Sequence, residues 1–135
     1  MTTPRRFLLA FGAVLALVVA ASFGAYLDVL PRDLGFLHAD LLCHALLFGL
    51  LAASLDGALA HRPLLRCAPE PRLAPVLVLS VAGLEELAQG LSPHRSSTLS
   101  DFAADTAGVL LLSWLVARRA RRPAAHPSPE QRPAL

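Results

Sequence analysis

The stretch Glu85-Glu86-Leu87-Ala88-Gln89-Gly90-Leu91-Ser92-Pro93-His94-Arg95-Ser96-Ser97-Thr98-Leu99-Ser100-Asp101-Phe102-Ala103-Ala104-Asp105 decides the fold. It closes one long apolar run, passes through a polar connection holding Pro93 and Arg95, and enters a second apolar run at Leu99. Each run is long enough to be buried in a bilayer, and each carries carboxylates beside the connection they share. Charges inside apolar segments are costly, and they persist where they face a bundle interior or a watery cavity.

The rest of the chain agrees with a membrane setting. Of its 135 residues 55% are hydrophobic and 16% charged, and the mean hydropathy is +0.55. That is too apolar for an ordinary soluble domain of this size, and the apolar residues are gathered into blocks. The expected partner is therefore the lipid bilayer. All basic residues are arginine, and a net charge of +2 without a recognition motif excludes nucleic acid as a partner. Cys43 lies in an apolar run and Cys67 in a basic loop, so no disulfide between them is expected.

Four spans are predicted. The first covers about Phe7 to Leu27, close to the ~20 residues a helix needs to cross a bilayer. Arg5-Arg6 before it and Ala21-Ser22 near its end also suit a cleaved signal peptide. The apolar run exceeds the ~7–15 residues of a signal core, which favours a retained helix. Gly12, Ala16, Ala20 and Gly24 recur every four residues and form a small face that would admit another helix. The second span runs from about Phe36 to Leu55 with a small stripe at Ala45, Gly49 and Ala53, the third from about Leu73 to Leu91, and the fourth from about Leu99 to Ala117. Asp28 to Gly35 is a short polar connection, and Asp56 to Arg72, rich in Pro and Arg, is read as a loop in which His61 needs no role. The expected fold is all-α: a four-helix transmembrane bundle over residues 1–117 with short loops. Residues 118–135 form a basic, Pro-rich, disordered tail.

Orientation follows from the arginines. Ten (Arg5, Arg6, Arg62, Arg66, Arg72, Arg118, Arg119, Arg121, Arg122 and Arg132) fall on one side of this topology, against Arg32 and Arg95 on the other. The positive-inside rule then places both termini in the cytoplasm of a multi-pass inner-membrane protein.

This topology gathers the polar residues. Asp40 and His44, one helical turn apart, lie near the outer end of span two. Glu85, Glu86 and Gln89 lie toward the outer end of span three, and Asp101 and Asp105, also one turn apart, near the outer end of span four. The inner halves, Leu46 to Leu55, Leu73 to Ala82 and Thr106 to Ala117, carry almost nothing ionisable. A proton or ion conduit normally needs polar stations across the full thickness, so a pocket open to the outer surface fits better.

Asp40-x-x-x-His44, Glu86-x-x-Gln89, Arg95 followed six residues later by Asp101, and then Gly108 form an ordered set that resembles the VanZ-like family of small integral membrane proteins. The resemblance covers about Asp40 to Gly108. Leu41 stands where that family usually has Lys, Asp105 where it has Asn, and Phe48 where it often has Tyr. The resemblance implies a bacterial cell-envelope protein, and the family takes its name from a member linked to teicoplanin resistance.

Three uses of the outer residues stay open. In a pocket for a lipid-linked or cell-wall precursor, Glu86, Asp101 and His44 are the acid/base candidates, with Asp40, Gln89, Arg95 and Asp105 contacting the ligand. No serine elbow, Cys/His signature or phosphate loop supports catalysis, and no cofactor is implied. Alternatively, Asp40, His44, Glu86 and Asp101, with Asp105 beside them, supply ligands for a divalent metal. In the third, the same charges only lock the helices together. Trp114 suits an interfacial anchor.

Overall fold

Four helices form from the four apolar runs: α1 (Thr3–Tyr26), α2 (Ala39–Ala58), α3 (Leu73–Gly90) and α4 (Leu99–Ala120). The computed structural model describes residues 3–27, 39–65, 71–91 and 99–120. The Asp28–Gly35 connection, Phe36 to His38, Cys67, Arg95 and the tail from residue 121 lie outside the described residues. All four helices are long and apolar enough to cross a membrane, at 18 to 22 residues per span. Their outer faces are apolar, with Leu9, Leu17, Phe23, Leu42, Leu84 and Leu110 exposed. Water would not tolerate so continuous a surface, whereas lipid is its natural solvent. The protein is an all-α, multi-pass membrane protein.

Local sequence explains where the helices start and stop. Pro4 and Pro75 sit in the first turns of α1 and α3, where their missing N–H groups cost nothing. Asp101 lies in the first turn of α4 and Arg118 and Arg119 in its last, each on the favourable end of the helix dipole. Those two arginines therefore continue α4 rather than begin a tail, and Arg118 lies over the Trp114 ring at 5.2 Å.

α2 is the centre of the bundle. It is apolar nearly all round, and such a helix is buried by its neighbours; it packs against α1, α3 and α4, while α3 also meets α4. Phe48, Leu51 and Ala52 of α2 join Val18, Val78, Ala82 and Val109 in one core. The small stripe of α2 admits α4 at very close range. A Cβ on Gly49 would stand 2.7 Å from the Gly108 carbonyl oxygen, and one on Gly108 would overlap the backbone of Ala45.

The small face of α1 does not do the same. Nothing lies within 4 Å of a Cβ placed on Gly12, and Ala16 and Ala20 are exposed. Instead α1 presents Phe11, Val14 and Val18 to the core, and Phe7 fills the space beside Gly57. These positions repeat at helical spacing on one face, and their bulk fills the groove beside α2 that a stripe of small residues would leave open.

The end of α2 also departs from the sequence expectation. The helix continues through Asp56 to Ala58, and its C-terminus folds back as His61 N–H donates to Asp56 O (2.9 Å) and Ala60 N–H to Gly57 O (3.3 Å). That pair of bonds is a Schellman closure, which needs a left-handed residue where Ala60 stands. Ala60 (φ 51°) and His61 (φ 59°) both adopt it. The chain then pairs briefly with itself, Leu64 N–H to Pro71 O at 2.7 Å and Leu73 N–H to Arg62 O at 3.0 Å, before α3 begins.

Candidate functional site

The antiparallel helices sort the charges by end. Among described residues, Asp40, Glu85, Glu86, Asp101 and Asp105 lie toward the end where α2 and α4 begin. Every described arginine (Arg5, Arg6, Arg62, Arg72, Arg118, Arg119) lies toward the other, with Asp56 as the one described carboxylate there.

At the acidic end His44 is the hub. Its Nδ1 lies 3.1 Å from Asp105 Oδ1, and the two side chains are 23% and 2% exposed. A carboxylate only accepts, so Nδ1 carries the hydrogen and Nε2 is left to face another group. The bond joins α2 to α4 one turn from the close approach of Ala45 and Gly108, so backbone packing holds the two side chains in register. The buried Phe48 ring lies parallel to the imidazole with centroids 6.4 Å apart, walling off one side. Asp101 and Glu86 lie near enough to act electrostatically on the same ring.

A second set of bonds at the same end ties α1 to α3. Ser22 Oγ of α1 donates to Glu85 Oε1 at 2.6 Å, and Gln89 Nε2 donates to the same oxygen at 3.3 Å. Gln89 is 2% exposed and Glu86 is buried, so α3 turns both toward the bundle. Of the residues singled out from sequence, His44, Asp105, Asp101 and Glu86 therefore converge, while Gln89 bonds to Glu85. Asp40 is exposed in the first turn of α2, while Arg95 lies outside the described residues. Among the described residues no group of three or more His, Cys, Asp or Glu is arranged to hold a metal ion, so the metal alternative built on Asp40, His44, Glu86 and Asp101 gains no support. Ser22 and Glu85 were given no role from sequence: Glu85 stands four residues before Gln89, the spacing that signals their bond, whereas only shared depth in the bundle connects it to Ser22.

Chemically, an imidazole with Nδ1 fixed by a buried carboxylate presents Nε2 as a hydrogen-bonding atom able to hold or release a proton. Further carboxylates beside it favour a ligand group that donates hydrogen bonds.

The opposite end holds a cluster that the sequence did not disclose. Asp56 is 0% exposed, and its Oδ2 accepts from Arg72 Nη1 at 2.6 Å and from His61 Nδ1 at 2.7 Å. Two donors share one acceptor, so the 3.4 Å separation of Arg72 Nη1 from His61 Nδ1 is a contact and not a bond. His61 and Arg72 thus have partners where a plain loop was expected. The α2 helix runs one turn longer than its apolar segment and buries Asp56 under the returning chain.

Comparison with family models, with curated proteins and with solved structures returns no match to this chain.

Proposed function

We propose that this multi-pass membrane protein is a VanZ-like protein of the bacterial cell envelope, and that the polar residues around His44 form an outward-facing pocket binding or modifying a lipid-linked or cell-wall ligand. The observation that carries this is the His44–Asp105 bond inside a bundle whose other described carboxylates, Asp56 excepted, gather at the same end. Intramembrane ionisable residues mark function more often than packing. The distribution of arginines supports the orientation, with the His44 end outside and both termini in the cytoplasm. Glu86, Asp101 and His44 take the proton-handling roles, and Asp40, Gln89, Arg95 and Asp105 position the ligand. A link to glycopeptide resistance follows from the family resemblance alone.

The second reading, a charge network that only locks the bundle, is favoured by one observation: His44–Asp105 sits beside the close backbone approach of Gly108 to Ala45. Native mass spectrometry of protein purified from its own membrane separates the two. Under the pocket reading the wild type carries a lipid-linked or cell-wall adduct, and Glu86→Gln and Arg95→Ala lose it at unchanged membrane abundance. If both variants instead vanish from the membrane, the network is a lock.

A further inference from the structure

At the arginine-bearing end the charges do not balance locally. Asp56 is fully buried and is matched by Arg72, and Asp56 Oδ1 makes no hydrogen bond among the described residues. His61, held by the same carboxylate, keeps its side chain 31% exposed, and its Nε2 bonds to no described residue. Arg62, next in sequence, is exposed and makes no side-chain hydrogen bond or ion pair among the described residues. Arg5 and Arg6 are likewise exposed, and the Phe7–Gly57 contact brings the start of α1 to the end of α2. The local surplus is positive, and it lies at the ends of spans that match a bilayer's thickness, where lipid phosphates are found.

We propose that this end of the bundle is a headgroup site for an anionic phospholipid that carries a headgroup hydroxyl, as phosphatidylglycerol does, with the phosphodiester seated on the Arg62 guanidinium, the hydroxyl donating to His61 Nε2, and Arg5 and Arg6 adding charge beside it. Topology alone asks only for arginines on one side. Here the chain also spends a buried carboxylate to fix an imidazole tautomer at the surface, which orientation does not require. Guanidinium groups bind phosphate through paired N–H donors, and an imidazole whose Nδ1–H is engaged offers Nε2 as an acceptor to a headgroup hydroxyl. The inference does not rest on the pocket at the opposite end.

The test is lipid retention by the full chain in nanodiscs of phosphatidylcholine with or without phosphatidylglycerol, read by native mass spectrometry. Wild type should retain phosphatidylglycerol at least about tenfold over phosphatidylcholine. Arg62→Gln should lower that preference about fivefold, as should Arg5→Gln with Arg6→Gln, at unchanged thermal stability in detergent. His44→Ala should leave it intact. Equal retention of the two lipids by wild type, or an Arg62→Gln variant with undiminished preference, would overturn the proposal. Displacement of the lipid by millimolar inorganic phosphate would also overturn it, assigning the site to a soluble anion.

Discussion

The backbone of Gly108 in α4 runs so close to the carbonyl of Ala45 in α2 that no side chain fits between them. His44 and Asp105 flank this crossing, so the packing of two glycine-bearing helices and the geometry of the polar site are one feature. Gly108→Ala should force the helices apart and cost about 1–3 kcal/mol. Thermal unfolding in detergent measures the loss, and the His44 ring resonance should shift with it.

Asp105 should divide by chemistry. Asp105→Asn keeps an oxygen that can accept from His44 Nδ1 and should fold nearly as well as wild type. Asp105→Leu removes the acceptor and leaves a half-buried imidazole without its partner, a loss of about 1–2 kcal/mol by the standards of polar pairs between membrane helices. Equal stability of the two variants would mean that the bond contributes nothing to folding.

At the other end, Arg72→Ala strands the fully buried Asp56 charge with only the His61 N–H as a partner and should cost about 3 kcal/mol. Removing Asp56 as well should recover part of that loss, because the stranded charge and not the missing bond dominates. A double-mutant cycle on Asp56 and Arg72 checks this through non-additivity of the unfolding free energies.

Ala60 occupies the left-handed closing position of α2, which a glycine would adopt without steric cost. Ala60→Gly should therefore stabilise the protein by about 1 kcal/mol. The side chain is exposed, so no packing is lost. The expected sign is an increase in unfolding temperature.

The spans were legible because bilayer thickness imposes a length on each apolar run, and α3 and α4 in particular start at the expected Leu73 and Leu99. His44, Glu86, Asp101 and Asp105 could be placed together because antiparallel connection alone brings those ends to one level. Which groups actually bond could not be read, since helix rotation about its axis is set by packing, as Gly108 against Ala45 shows. The α1 stripe misled for the same reason: small residues permit close approach without requiring it, and the bulky Phe11, Val14 and Val18 took the interface. Asp56 escaped because an acid just past an apolar run looks like the start of a loop; its burial depends on the fold-back made by Ala60 and His61.

The claim at the centre of this account is that His44, Asp101 and Glu86 serve a ligand as well as one another. A crystal structure of protein extracted with its native lipids and grown in a lipidic mesophase tests it most directly. Non-protein density should lie within hydrogen-bonding distance of His44 Nε2 and of a carboxylate from α3 or α4. A filled density map in which these groups bond only to protein atoms, with acyl chains packed across them, would contradict it.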